Sequence, residues 1–331
     1  MTISDTGPVQ ELRRAAAVIG AADRLDLACH VTPDGDALGS MLGFYHLAAA
    51  AGMHTVMSWP EPFATASRYR GLPGRERAVP ASSFPADPRC MLTFDCGAPG
   101  RLNELGDAAR FAAEYGELIV VDHHATNKRF GTVNLVDVDA AATAVVVREL
   151  ARCLEWPLNR DAAWCLYVGL IADTGRFQYA STTPSVFALA EELSAFDLPV
   201  STISRELFEE HRFAYLQLAA TALSRAQLDR SLGLISTYVS QEDLCTYDVS
   251  YEEVEGLIDW VRTASEAEVA CVCKESPDGI RVSLRSLSKV DVGSIAVALG
   301  GGGHRLAAGF TMKASVAEVM AEVRCRLAAC L

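Results

Sequence analysis

Six residues of this 331-residue chain have the types and placements of metal ligands. His30, Asp34 and Asp36 share one short stretch, His30-Val31-Thr32-Pro33-Asp34-Gly35-Asp36, in which Pro33 and Gly35 shape a loop whose carboxylates can converge. Asp95, His123 and Asp173 stand at the ends of three other runs. Carboxylates and imidazoles suit Mn²⁺, Mg²⁺, Co²⁺ or Fe²⁺, and the lack of thiolate partners disfavours a structural zinc. Two such cations roughly 3.5–4 Å apart, bridged by a carboxylate, stabilise both the attacking and the leaving oxygen of a phosphoryl transfer. Taken singly, each residue has an ordinary structural reading: a turn for Asp34-Gly35-Asp36, a cap for Asp95 or Asp173, a core position for His30. Jointly these readings must explain four independent clusters.

The elements that must position these residues are legible as a pattern. Asp122-His123-His124 follows the apolar run Leu118-Ile119-Val120-Val121, which reads as a buried strand of a parallel sheet. Leu25 to His30, His54 to Ser58 and Arg89 to Phe94 read as three further strands, the last ending at Asp95. Helices are expected at Val9–Ala22, Ala37–Ala51 (closed by Gly52), Arg101–Glu114, Ala141–Cys153, Asp161–Ala172, Thr183–Phe196 and Pro199–Glu210, with mostly loop from Pro60 to Pro88. Alternating strands and helices imply βαβ units, and such sheets bind ligands beyond the carboxyl ends of their strands. The second half differs. It offers strands at Leu232–Val239, Val269–Lys274, Gly279–Leu287 and near Phe310, and helices at Tyr251–Ala264, Asp291–Leu299 and from Ser315.

Half of the residues are hydrophobic and 21% are charged, so two domains with sizeable cores are expected. No apolar run approaches the ~18 residues of a membrane span, and Met1 to Arg14 is polar, so a cytoplasmic protein without membrane attachment is expected. The ten cysteines form no CxxC pair. A net charge of −13 argues against long duplex nucleic acid, which calls for a basic face, and favours small phosphorylated substrates.

Gly300 to Gly303 can approach a ligand closely, and successive N–H groups there can form an anion-binding nest. His304 and Arg305 add charge-assisted donors. Arg281 and Arg285 alternate along one strand and so share a face. With Lys274 and Lys289 they form a candidate clasp for a distal phosphate or base.

Four stretches resemble the motifs of the DHH phosphoesterase superfamily: His30 to Ser40; Asp95 with its strand; Asp122-His123-His124; and Gly169-Leu170-Ile171-Ala172-Asp173-Thr174-Gly175. Gly301-Gly302-Gly303-His304 resembles the DHHA1 signature. The resemblance spans nearly the whole chain. It is to the branch of bifunctional oligoribonucleases and 3′-phosphoadenosine 5′-phosphate phosphatases, which has cyclic di-AMP phosphodiesterases as close relatives. It implies an α/β protein with an N-terminal parallel-sheet DHH domain (1–192), a linker (193–215) and a smaller α/β DHHA1 domain (216–331), the active site lying in the cleft between them. His30, Asp34 and Asp95 would hold one metal. Asp36, Asp95, His123 and Asp173 would hold the other, Mn²⁺ being favoured over Mg²⁺ or Co²⁺. His124 would contact the scissile phosphate, and Asp122 would orient a histidine ligand. Arg285, Gly301, Gly302, Gly303, His304 and Arg305 would bind substrate.

The implied activity is metal-dependent hydrolysis of very short RNAs such as 5′-phosphorylated diadenylate, of 3′-phosphoadenosine 5′-phosphate and, as a further candidate, of cyclic di-AMP. A homodimer is implied. A single-strand DNA exonuclease would need additional nucleic-acid-binding modules, and a family II pyrophosphatase a different second domain. The rival from another class is a non-catalytic nucleotide- or RNA-binding sensor, which has no need of a complete ligand set.

Overall fold

The computed structural model describes residues 8–330; Met1–Gly7, which belong to the polar stretch noted above, and Leu331 lie outside the described residues. Two compact units are distinguished, 1–209 and 210–331.

The first unit runs α1 (Pro8–Gly20), β1 (Arg24–Cys29), α2 (Gly35–Ala50), β2 (His54–Ser58), β3 (Cys90–Phe94), α3 (Gly106–Tyr115), β4 (Glu117–Asp122), β5 (Val133–Val136), α4 (Thr143–Cys153), α5 (Arg160–Asp173), α6 (Pro184–Ser194) and α7 (Val200–Phe208). Its five strands are all parallel in the order β2-β1-β3-β4-β5. Every residue of β3 is buried, as expected of a strand covered on both faces. One core, with Leu27, Leu38, Phe94 and Val121, lies under α2, α4 and α5; the other, with Met91, Leu102 and Ala109, lies under α3. The strand order reverses direction between β1 and β3, the switch point where ligands bind in such sheets.

Several elements differ from expectation. β5 was not anticipated. Arg101–Glu114 is not one helix: a 3₁₀ turn, Pro99–Leu105, precedes α3, and Asn103 has a left-handed φ of 40° that interrupts α-helical hydrogen bonding. The helix expected at Pro199–Glu210 is present as α7, within the stretch 193–215, and its Ile203 and Leu207 are buried in the first unit's core. At about 1.5–3 kcal/mol per fully buried aliphatic side chain, this explains why the helix stays with that unit.

The second unit runs α8 (Phe213–Ser224), β6 (Gln227–Asp229), β7 (Leu234–Val239), α9 (Gln241–Tyr247), α10 (Leu257–Val261), β8 (Val269–Ser276), β9 (Gly279–Ser286), α11 (Val292–Ala298), β10 (Gly302–His304), β11 (Ala307–Met312) and α12 (Val316–Ala328). Its sheet is six-stranded and mixed, in the order β10-β11-β9-β8-β7-β6, with only β7 and β8 parallel. Burial alternates strictly along β9, one face feeding a core with Leu284 and Val282 while Arg281, Ser283 and Arg285 line the other. The single helix expected over Tyr251–Ala264 is a 3₁₀ turn, Glu252–Gly256, followed by the short α10; Gly256, a poor helix former, lies at the junction.

Candidate metal centre

Each candidate ligand of the first unit is placed by a local device. β1 ends at Cys29, so His30 leaves the sheet at a strand carboxyl end. Asp34 is the N-cap of α2: its Oδ1 accepts from the amides of Asp36 and Ala37, both at 3.1 Å, while Oδ2 lies 3.9 Å from His30 Nε2. Asp36 is fully buried in the first turn of α2. Asp95 follows β3 with a left-handed φ of 56°, a conformation that non-glycine residues adopt mainly where function or a turn demands it. His123 follows β4, and Asp173 is the last residue of α5. Helices α2 and α5 touch backbone to backbone, because a Cβ on Gly39 would lie 2.4 Å from the Cys165 carbonyl oxygen.

The structure brings all six together. Asp95 Oδ2 lies 3.6 Å from His30 Nε2, and its Oδ1 lies 3.7 Å from His123 Nε2. His123 Nε2 is also 3.1 Å from Asp173 Oδ2 and 3.9 Å from Asp36 Oδ2. Two donor groups result, His30–Asp34–Asp95 and Asp36–Asp95–His123, each with ligand atoms within 4.8 Å of one another. They share Asp95, whose two oxygens face opposite groups. Four carboxylates and two imidazoles around two adjoining points are a hard donor set that fits a pair of divalent cations bridged by one carboxylate.

Asp122 and His124 stand beside this set. Asp122 Oδ1 accepts from the ring Nδ1 of His124 at 2.7 Å and from the amides of His123 and His124 at 2.7 and 3.2 Å. The expected role for Asp122, orienting a histidine ligand, therefore needs correction. The His123 ring is held instead through Nδ1, 3.0 Å from the carbonyl oxygen of Ala140, and the Asp122 carboxylate orients His124. A side chain tied to the peptide of its successor reaches the second residue's ring more readily than the first.

In the second unit, Arg285 donates from Nη1 to the carbonyl of Leu284 at 3.0 Å, while its Nε is buried with no hydrogen-bond partner among the described residues. The glycine run is not an open nest. Gly300 and Gly301 donate to the Val297 and Ala296 carbonyls and close α11, and Gly302 to His304 form the edge strand β10 against β11. Glycine is required there: a Cβ on Gly301 would lie 2.1 Å from the Gly309 carbonyl oxygen, and Gly303 has a φ of +134°. Arg305 is exposed and reaches the Lys289 carbonyl from Nη2 at 3.4 Å. Lys274 pairs with Arg281 across β8 and β9 and shares its face, but it is not available to a clasp. It is 1% exposed and its Nζ lies 2.8 Å from Glu255 Oε2, because its side of β8 is covered by α10.

Residues 27–170 match the DHH family, N-terminal domain, and residues 234–330 match the DHHA1 domain. A bifunctional oligoribonuclease and PAP phosphatase of Thermus thermophilus is 32% identical over 92% of this chain and 89% of its own length. This chain belongs to the DHH phosphoesterase family. The corresponding protein of Bacillus subtilis is 25% identical over 88% of this chain and 90% of its own. A solved structure, an exopolyphosphatase-related protein from Bacteroides fragilis, shares the fold: its TM-score is 0.88 at 22% identity, over 97% of this chain and 96% of that one. DHH phosphoesterases are metal-dependent, and the acidic and histidine cluster described above could bind metals. None of the described helices is long and apolar enough to cross a membrane.

Several residues of this DHH centre were not singled out in the sequence. Thr143 donates its amide to Asp36 Oδ2 at 2.6 Å and its hydroxyl to Asp95 Oδ1 at 2.9 Å. The Ala144 amide and the Ser40 hydroxyl each reach Asp36 Oδ1 at 3.0 Å. Asp36 thus sits at the N-terminus of α4, where free amides and the helix dipole favour a carboxylate. Asn127 donates to the second oxygen of Asp122. Thr143 stands among alanines at an unremarkable helix start, so its local sequence offers no signal; Ser40 lies one helical turn after Asp36, a spacing that does.

Electrostatics set the DHH centre apart. Burial, then the charges of Asp95 and Asp173, push the Asp36 carboxyl well above its ordinary value. Burial acts the same way on Asp95, but His124, His30 and His123 outweigh it and hold that carboxyl well below the usual range. Burial disfavours the charged form of His123, yet Asp173, Asp36 and Asp95 push it up to about 11. His124 is likewise opposed by burial and pushed up to about 9 by Asp95 and Asp122. The carboxylates recruit positive charge, which divalent cations would supply.

Proposed function

We propose that this phosphoesterase hydrolyses very short oligoribonucleotides to mononucleotides and 3′-phosphoadenosine 5′-phosphate to AMP and phosphate, using two divalent cations, with Mn²⁺ favoured. The observation that supports this most is the pair of donor groups meeting at Asp95. The names of the T. thermophilus and B. subtilis relatives carry both activities, and their similarity spans most of each chain.

In this reading His30, Asp34 and Asp95 hold one ion, and Asp36, Asp95, His123 and Asp173 the other. When bound, such a pair stabilises charge on the attacking and leaving oxygens. The chain's own groups do the remainder. Asp122 accepts from Nδ1–H of His124, and because Asp95 and Asp122 push that ring up to about 9 it carries a second proton at neutral pH, so Nε2–H can donate to a non-bridging oxygen of the scissile phosphate as charge develops. Thr143 and the first amides of α4 keep the carboxylates of Asp95 and Asp36 in place. Arg285 and the stretch Gly301, Gly302, Gly303, His304 and Arg305 bind the remainder of the nucleotide, Arg285 offering a buried donor not otherwise used. Functionally, 1–192 is the metal-binding part, 193–215 the connection and 216–331 the substrate-binding part. Action in the cytoplasm and as a homodimer complete the proposal.

Product chromatography tests it. Protein loaded with Mn²⁺ is incubated with 5′-phosphorylated diadenylate, 3′-phosphoadenosine 5′-phosphate and cyclic di-AMP in parallel. AMP from the first two, abolished by chelator, is the expected result, and relative rates rank cyclic di-AMP. Tight binding of these nucleotides without any product over hours would replace the enzyme with a nucleotide-binding sensor.

A further inference from the structure

Arg101 lies in the 3₁₀ turn Pro99–Leu105 of the first unit, beside the metal centre. Its carbonyl accepts the Val31 amide at 2.9 Å, so its backbone is tied to the residue that follows His30. Its guanidinium Nη2 lies 2.9 Å from His30 Nδ1. Among the described residues it forms no ion pair with a carboxylate, although Asp34 and Asp95 face the other nitrogen of the same imidazole. A permanently charged, half-buried cation at an acidic centre, with its charge not committed to a carboxylate, is available to an anionic ligand.

The contact on His30 is one that ligation disturbs. Nδ1 also lies 2.8 Å from the Val31 carbonyl oxygen. The carbonyl needs a proton on Nδ1, whereas the guanidinium needs a lone pair there, and one nitrogen cannot offer both. Nε2 is the nitrogen that faces Asp34 and Asp95, at 3.9 and 3.6 Å. With Nε2 ligated, the proton of the neutral ring resides on Nδ1 and is donated to Val31. The guanidinium then faces a donor and turns away.

We propose that Arg101 grips a substrate phosphate oxygen, and that occupation of His30 Nε2 by a metal releases the guanidinium from Nδ1 for that contact. This rests on the phosphoesterase reading and adds to it an order of events, metal before phosphate. The planar fork of arginine matches two phosphate oxygens, which lysine cannot reproduce.

The test is calorimetric binding of AMP, a ligand that is not turned over, to wild type, Arg101→Ala and Arg101→Lys, each with saturating Mn²⁺ and with chelator. A charge-assisted contact of this kind is worth roughly 10- to 100-fold. Arg101→Ala should weaken AMP binding by about that factor with Mn²⁺, and Arg101→Lys should recover only part of it. With chelator, wild type and Arg101→Ala should differ by less than about threefold, because the arm is then held on His30. Added guanidinium should restore part of the kcat/KM of Arg101→Ala on the diadenylate. The backbone bond to Val31 survives in both variants, so folding should be retained. Wild-type AMP affinity in Arg101→Ala at saturating Mn²⁺ overturns the proposal. So does a loss confined to Mn²⁺ affinity, which would make Arg101 a positioning residue for His30, and so does wild-type AMP binding that Mn²⁺ does not strengthen. Failure of the wild type to hydrolyse any of the three substrates would instead count against the function itself, while the AMP comparison would still decide the role of Arg101.

Discussion

The hydroxyl of Thr143 donates to Asp95 Oδ1 at 2.9 Å, and so the one carboxylate shared by both donor groups is steered by the first residue of α4, 48 positions further along the chain. Partners of metal ligands in this position typically contribute 10–100-fold in metal affinity or activity. Thr143→Val keeps the size and the backbone amide but removes the hydroxyl. It is expected to weaken Mn²⁺ binding about 10-fold, with Thr143→Ser close to wild type. Metal titration followed by calorimetry separates the two.

Gly169 makes a different demand. A Cβ there would lie 2.8 Å from Asp36 Oδ1 and 3.0 Å from the Ala144 Cβ. Gly169→Ala must therefore displace either α5 or the Asp36 carboxylate. Overpacking of this kind costs about 1–3 kcal/mol, so a lower Tm is expected together with weaker metal binding. A variant as stable as wild type, with unaltered metal affinity, would show that the helices separate without strain.

The pH dependence follows from the two raised histidines. His123 is pushed up to about 11 and His124 to about 9 in the metal-free protein, against an ordinary value of 6.5. A folded-state value above the unfolded one means stability that is fully present below about pH 6.5 and lost as pH rises through 9 and then 11. The metal-free protein should therefore lose Tm across that window. Ligation of His123 must expel its proton, and the raised Asp36 carboxyl adds to that release, so Mn²⁺ binding at pH 7 should release at least one proton and tighten with rising pH. Calorimetry in buffers of different ionisation enthalpy counts the protons, and none released would contradict the charge state drawn for His123.

For the second unit, Arg285→Ala is expected to reduce kcat/KM on the diadenylate by roughly 10- to 100-fold, mainly through KM, and to leave Mn²⁺ content unchanged. The cause is loss of a buried donor whose Nε has no hydrogen-bond partner among the described residues. Unchanged kinetics would remove Arg285 from the substrate site.

What was readable in the chain was the part encoded locally. An apolar run followed by Asp or His marks the ends of β1, β3 and β4, because a buried strand and its polar exit are contiguous in sequence. Gly52 ends α2 with a φ of +81°, as a residue just past a helix should. What was not readable depends on partners distant in the chain. β5 is four residues long and is a strand because it pairs with β4. Thr143 acts on Asp36 and Asp95, residues 107 and 48 positions away. Lys274 reads as part of a phosphate clasp until α10 covers it. β10 arises from glycines that read as an anion-binding nest, because only a residue without a side chain fits at Gly301 and Gly303 as the segment lies against β11.

The central claim is that hydrolysis needs the pair of cations that Asp95 bridges. Its most direct test is the rate of AMP release from 5′-phosphorylated diadenylate as Mn²⁺ is titrated into chelator-stripped protein, for wild type and for Asp95→Asn checked to be folded. The account predicts no turnover in stripped wild type, a rate that saturates near two ions per chain, and an Asp95→Asn protein that stays inactive at every Mn²⁺ concentration. Full activity in the stripped wild type, or in Asp95→Asn, would contradict it.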